Sequence, residues 1–438
     1  MQPLKRVAYF VCHGMGQQVP YETLSMLAQI LLKGKTGAAQ PSVVCRRVKL
    51  TLAADAPELS RVEVTTDDQY GSPVEAHIYE AYWAPLTEGQ ISFTAVVLFL
   101  YTAAWNGLKT CLRSAWRRGE MARALGLHPQ RPTFNRWVFG DFYDFEIFRG
   151  TAAALGALVV IVTLLVTPVF LLGGSKLSVV WQHRTTIWPW FKRLCIVHPV
   201  LAGLLVLALA LLLLLVLVVR YFFVEYIGDV AIYVSSYTVS RYDEIRKAIQ
   251  AIATGVVQQI YAAGVADQSH DHYDEVVIVG HSLGSVLAYD TLNAAINWDE
   301  IDNGGQRHVV ARTTRLITFG SPLDKTAFLF RTQVSSARAI REALAARQQP
   351  LVLDYVQYRR KHFRWINIHS AWDIISGTLC YYDLPENTPE WEKLKTAGSV
   401  FPASRVRNVR DPQAKIPLAA HVQYWNNDLL HVVLQDAL

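Results

Sequence analysis

Val276-Val277-Ile278-Val279-Gly280-His281-Ser282-Leu283-Gly284-Ser285 is the stretch on which the reading of this chain turns. Its apolar, β-branched run is that of a strand buried on both faces. The run ends in Gly-x-Ser-x-Gly, and Ser285-Val286-Leu287-Ala288-Tyr289-Asp290 then opens a helical pattern. Strand, tight turn and helix is the context in which a serine is lifted clear of a sheet as a nucleophile. Gly280 and Gly284 carry no side chain, so strand and helix can close on one another. Leu283 N–H then points toward whatever Ser282 attacks.

A serine hydroxyl is a weak nucleophile at neutral pH and needs a base, which in turn needs an orienting carboxylate. Downstream of the serine, Asp324, Asp373 and Asp383 are candidate acids; His362, His369, His421 and His431 are candidate bases. Asp373 follows the strand-like Phe363–Ile368, and the loop after a strand's carboxyl end is where such an acid belongs. Asp324, after Gly320-Ser321-Pro322, is the second choice. His421 begins the last helical pattern of the chain, whereas His431 lies within it. At the other end of the sequence, Val7–Val11 reads as a buried strand running into His13-Gly14-Met15-Gly16. A glycine-rich loop after a strand suits a backbone that must offer N–H groups to an oxyanion.

Around these sites the pattern alternates between strand and helix. Strands are expected at Arg6–Cys12, Val43–Leu50, Arg61–Thr65, Ala76–Trp83 and Arg315–Phe319, with helices at Tyr21–Leu32, Ser240–Ala263 and Ser336–Arg347. Gly228–Tyr233 reads as a short strand or loop. The expectation is an α/β fold: a mostly parallel sheet with helices on both faces.

Composition adds a second theme. The 438 residues are 52% hydrophobic and only 18% charged, too apolar for an ordinary soluble protein, and the net charge is +6. Thr151–Leu172 holds no charge, and Val200–Val219 is twenty residues of Val, Leu and Ala with one glycine. Twenty helical residues cover roughly 30 Å, the hydrocarbon thickness of a bilayer. A transmembrane helical hairpin is therefore expected, with spans 151–172 and 200–219, inserted between the first strands and the nucleophile half. Its connector carries Trp181, Trp188 and Trp190, which suit a membrane interface.

The expected division is 1–90, the first part of the catalytic domain; 91–150, an interfacial basic and aromatic segment; 151–222, the hairpin; and 223–438, the rest of the catalytic domain. The glycine loop precedes the spans and the serine follows them. One shared site requires an even number of crossings, so Ile91–Leu108 is read as re-entrant, interfacial or packed on protein. Lys and Arg placement puts the catalytic side in the cytoplasm, in a bacterial inner membrane or its equivalent. The basic, aromatic stretch from Lys109 to Arg149 is read as a headgroup contact rather than a nucleic-acid site.

The five cysteines show no CxxC spacing, so neither a disulfide framework nor a zinc site is expected. Asp267, His270, Asp271, His272 and Asp274 form a metal-like cluster, read as a solvated loop. No metal or cofactor is expected, and homo-oligomers fit the sequence as well as monomers do.

Together these residues resemble the α/β-hydrolase superfamily, in its lipase and esterase branch. Gly280-His281-Ser282-Leu283-Gly284 is similar to the lipase elbow, Thr318-Phe319-Gly320-Ser321-Pro322 to a later strand end, and His13-Gly14-Met15-Gly16 to the oxyanion loop. The resemblance covers 1–90 and about 226–438, leaving the hairpin outside it. It implies Ser282 as nucleophile, His421 as general base and acid, Asp373 as its orienter, and Leu283 and Met15 N–H as the oxyanion hole. His13, Gly14, Gly16, Gly280 and Gly284 would support the loops. The activity implied is hydrolysis of a carboxylic ester, with a phospholipid or lysophospholipid at the bilayer as substrate. Thioester or amide cleavage and a silent scaffold are the alternatives.

Overall fold

The computed structural model describes residues 5–16, 18–33, 42–50, 58–67, 72–108, 156–157, 159–160, 162–163, 184–222, 228–234, 240–263, 272–326, 363–373, 375–379, 406–416 and 419–435. The strands are β1 (Lys5–Cys12), β2 (Ser42–Val48), β3 (Leu59–Asp67), β4 (Pro73–Ala81), β5 (Glu275–His281), β6 (Thr313–Phe319), β7 (Arg364–His369) and β8 (Val406–Arg410). They form one sheet in the order β2-β3-β4-β1-β5-β6-β7-β8. From β4 through β8 every neighbouring pair is parallel; β3 is antiparallel to both β2 and β4. The mostly parallel sheet expected from the sequence is present.

The central strands are apolar on both faces because both faces are covered. Val7 through Cys12 and Val276 through Val279 are all fully buried. Alternation sends Ala8, Phe10, Cys12, Val276 and Ile278 to one side, where they share a core with helices Ser240–Ala262 and Leu283–Asn297. Val7, Tyr9, Val11, Val277 and Val279 go to the other side and meet α1 (Glu22–Leu32) and the last helix, Asp428–Gln435. The edge strand β2 is exposed along most of its length and carries Arg46 and Arg47, charges that discourage a further strand from adding there. β1 has β4 on one side and the sequence-distant β5 on the other; in open α/β sheets the carboxyl ends of the strands at such a reversal of strand order are where ligands bind.

Helical backbone covers 93–108, here α2. It is followed by α3 (Arg184–Val197), α4 (Pro199–Phe222), α5 (Gly228–Val234), α6 (Ser240–Ala262), α7 (Leu283–Asn297), α8 (Ala420–Gln423) and α9 (Asp428–Gln435). The segment 228–233 is a helix, not the strand or loop expected. A short apolar run is ambiguous between the two periods, and Ala231, Ile232 and Tyr233 are all buried. Part of the connector expected between the spans is helical as α3. β8 was not anticipated: its Val-Arg-Asn-Val-Arg pattern has no long apolar run to mark it. The final helical pattern breaks into α8, a 3₁₀ turn at Tyr424–Asn426, and α9.

α2 packs its Phe93, Val96, Phe99 and Ala103 against Ala231 and Ile232 of α5, together with Val162. One face of Ile91–Leu108 is thus packed on protein, while Leu98, Tyr101 and Trp105 on the helix are exposed. α4 runs 24 residues with Arg220 in its last turn, and Leu204, Leu207, Leu211 and Leu214 face outward. The side chains at 212, 215, 216, 219 and 222 are outside the described set, and over the described residues no helix is long and apolar enough to cross a membrane. The inserted hairpin is therefore not established by the fold. Most of its first span, 151–172, the basic aromatic segment after 108 and the helix expected at Ser336–Arg347 also lie outside the described residues.

The close approach of α7 to β1 gives a direct test. A Cβ on Gly284 would overlap the carbonyl oxygens of Cys12 and His13, whereas one on Gly255, inside α6, would meet nothing within 4 Å. Gly284→Ala should destabilise the fold by roughly 1–3 kcal/mol, and Gly255→Ala should be neutral or stabilise by up to about 1 kcal/mol. Denaturant midpoints of the two variants check this.

Candidate active site

The carboxyl ends of four parallel strands supply the site. β5 ends at His281, and Ser282 turns the chain into α7 with φ 54° and ψ −131°. This left-handed backbone is strained for a residue with a Cβ. It is held by three bonds. Ser282 N–H donates to Phe319 O at 3.1 Å, and Ser282 O accepts Ser285 N–H at 2.9 Å and Ser285 Oγ–H at 2.6 Å. Ser285 Oγ also pairs with Ser321 Oγ at 2.7 Å, tying the turn to the end of β6.

β7 leads into the loop that carries Asp373, and α8 carries His421. His421 Nε2 lies 2.8 Å from Ser282 Oγ, and His421 Nδ1 lies 2.9 Å from Asp373 Oδ2. An ionised carboxylate only accepts, so the Nδ1 proton points to Asp373 and leaves the Nε2 lone pair for the serine hydroxyl. Three candidates spread through the sequence thus converge. The acid that meets the imidazole is Asp373, not Asp324. His431 instead donates from Nε2 to Lys33 O at 2.7 Å on an exposed surface, and His369 ends β7. Asp383 and His362 lie outside the described residues.

Asp373 is almost fully covered. Burial by itself raises its pKa. The His421 ring, the Ile375 N–H on Oδ1 at 2.9 Å and Ser376 outweigh this and hold the carboxyl well below the usual carboxylate range. Tyr424 OH donates to Asp373 Oδ2 at 3.0 Å. Lys325 Nζ donates to the carbonyls of Ile375 and Ser376 at 3.0 and 2.9 Å, fixing the loop behind the acid. Neither Tyr424 nor Lys325 was anticipated. Tyr424 lies three residues after His421, so one helical turn brings the imidazole and the second donor to the same carboxylate.

Two further histidines frame Ser282. His281 Nε2–H donates to His421 O at 2.9 Å, and its ring stacks on Phe319 at 4.9 Å. Burial, then the nearby His421, lowers its pKa to about 3. His13 Nδ1–H donates to Gly14 O at 2.8 Å while Nε2 accepts Trp83 N–H at 3.2 Å. Burial lowers its pKa to about 4, so the ring stays neutral and can do both. His13 therefore braces the loop that passes the serine. Gly14 sits so close that a Cβ there would lie 3.0 Å from both Ser282 Cβ and His281 Nδ1. The loop that starts at His13 thus passes against Ser282 and against the first turn of α7, which begins with Leu283.

Among the described residues, Glu63, Glu75 and His77 bring ligand atoms within 4.8 Å of one another. Arg61 already binds Glu63 at 2.6 Å and Arg6 binds Glu75 at 2.8 Å, so this group is an ion-pair lattice across β3 and β4. Of the metal-like cluster near 270, residues 267, 270 and 271 lie outside the described residues. Asp274 is occupied with β1, accepting Arg6 N–H at 3.3 Å.

The buried rings set a pH dependence with a definite sign. Unfolded, His281 takes up a proton near its ordinary 6.5; folded, it does so only near 3. Its contribution to stability is complete above 6.5 and is lost as pH falls toward 3. Stability of the wild type should therefore drop more steeply from pH 7 to 4 than that of His281→Asn. Parallel curves for the two would contradict it.

The chain matches no family model, no curated protein and no solved structure, so its geometry is the ground for a functional reading.

Proposed function

We propose that this protein is a serine hydrolase of the α/β-hydrolase type, anchored to a membrane and cleaving carboxylic esters of lipids. The single observation behind the reading is His421 bridging Ser282 Oγ and Asp373 Oδ2 at 2.8 and 2.9 Å. A hydroxyl with an oriented base is the means of activating serine at neutral pH.

The reaction follows from the proton positions. His421 Nε2 takes the Ser282 hydroxyl proton as Oγ bonds to the ester carbonyl carbon. Asp373 stabilises the imidazolium that forms. The carbonyl oxygen becomes an oxyanion, for which Leu283 N–H and Met15 N–H are the proposed donors. As the tetrahedral species collapses, the C–O bond breaks and the leaving alcohol takes the proton from Nε2. The acyl group is left on Oγ. A water, deprotonated by the same nitrogen, then attacks the acyl carbon; Oγ recovers the proton and the acid leaves. No cofactor or metal is invoked.

Two features support a lipid substrate. Trp372 and Val422, next in sequence to Asp373 and His421, are 50% and 59% exposed. As exposed apolar side chains on the two segments that carry the acid and the base, they are the proposed contacts for an acyl chain. α4 presents outward leucines over much of its 24 residues, about 36 Å of helix. With the uncharged 151–172 it would make up the hairpin read from the sequence. That would set the catalytic side at the cytoplasmic bilayer surface, where the basic segment before it would favour anionic headgroups.

Wild-type protein in detergent or lipid discs should label with a fluorophosphonate and hydrolyse lysophospholipid. Ser282→Ala should abolish labelling, and Asp373→Asn should lower kcat by roughly 10³–10⁴-fold. Folded wild type that takes up no label would instead favour a silent scaffold.

A further inference from the structure

The oxyanion loop is fastened by a residue from an unexpected part of the chain. Gly16 N–H donates to Asp229 Oδ2 at 2.7 Å. Asp229 is 6% exposed and sits in the first turn of α5, the helix that begins six residues after α4 ends. Gly16 has φ 94°, a conformation glycine adopts without penalty and does not itself enforce. The sequence Gly14-Met15-Gly16 thus has two permissive residues around the one whose N–H should meet the oxyanion. Something outside the loop must choose its geometry.

α5 is built to do so. At its far end Tyr233 OH donates to Asp290 Oδ2 at 2.6 Å, on α7, the helix that starts at the nucleophile turn. Arg246 covers the Tyr233 ring at 4.7 Å and reaches the same Asp290 oxygen at 3.3 Å. Ala231 and Ile232 in the middle pack into the cluster with α2. The helix is therefore held at both ends and along its side. Its one carboxylate in the first turn is presented to Gly16 as a fixed acceptor. A bond from a backbone N–H to a buried ionised carboxylate is roughly twice as strong as a neutral one. It fixes the plane of the Met15–Gly16 peptide and so limits rotation of the neighbouring Met15 N–H.

We propose that Asp229 is a positioning residue for oxyanion stabilisation, which makes the segment entering from α4 part of the catalytic apparatus rather than an anchor alone. This rests on the serine-hydrolase reading. Asp229 touches no reacting atom; it acts through Gly16. Its removal should weaken binding of the tetrahedral state and leave binding of the ester ground state alone.

The test uses the full chain in detergent or lipid discs, with Asp229→Ala and Asp229→Asn. The readouts are kcat and KM on a p-nitrophenyl ester, the fluorophosphonate labelling rate, and affinity for an alkyl boronic acid, which adds to serine as a tetrahedral anion. Asp229→Ala should lose about 10- to 100-fold in kcat, less than deletion of a donor itself, with KM within about two-fold. Boronate affinity should fall by the same factor as kcat/KM. Asp229→Asn, whose amide oxygen can still accept from Gly16, should recover most of the loss. If Asp229→Ala does not fold, slowed exchange of the Gly16 amide in wild type and Asp229→Asn, relative to Asp229→Ser, carries the same prediction. Wild-type kcat in the Ala variant, or a fall in kcat with boronate affinity unmoved, overturns the proposal and leaves the hydrolase reading standing. A folded wild type that fails to label overturns both.

Discussion

The left-handed backbone of Ser282 is the constraint on which the site depends. A side chain at that φ is held only where its surroundings over-determine it, at a cost on the order of 1–3 kcal/mol. Here the turn is fastened to β6 through Phe319 O and Ser321, and to its own helix through Ser285. Side-chain-free positions then let β1 and α7 touch. Because β1, β5, β6 and β7 are parallel, the loops that leave them all emerge at one edge. Ser282, Asp373 and the glycine loop are neighbours for that reason; His421 arrives from the far end of the chain.

Electrostatically the site is economical. Asp373 is the carboxylate on the line through His421 to Ser282. The other two imidazoles within the same shell, His13 and His281, are kept neutral by burial. Their N–H groups are spent on carbonyls, His13 on Gly14 and His281 on His421 itself. The ring between Ser282 and Asp373 is the one of the three that faces a carboxylate. Its orientation is fixed from both sides, by the carboxylate on Nδ1 and by His281 on its own carbonyl.

Much of this was legible in the chain. A β-branched run closed by Gly-x-Ser-x-Gly and followed by a helical pattern admits few structures, and β5, Ser282 and α7 form as that pattern implies. Asp373 could be picked because it follows a buried strand, and His421 because it opens the last helical pattern of the sequence. What was not legible has physical causes. Asp229 and α5 were missed because a six-residue apolar run reads equally as strand or helix. Tyr424 was missed because its role depends on a helical turn whose partner lies 51 residues away. β8 was missed because Arg407 and Arg410 interrupt its apolar pattern. His281 was visible as the variable position of the motif, but its contact with the His421 carbonyl arises only when both ends of the chain meet.

The proposed hydrolysis requires that an acyl group pass through Ser282. Rapid acid quench during turnover of a chromogenic ester, followed by intact and peptide mass spectrometry, measures this directly. One acyl group per chain should be recovered, on the peptide that contains Ser282. Turnover with no acyl group on that serine at any quench time would contradict it.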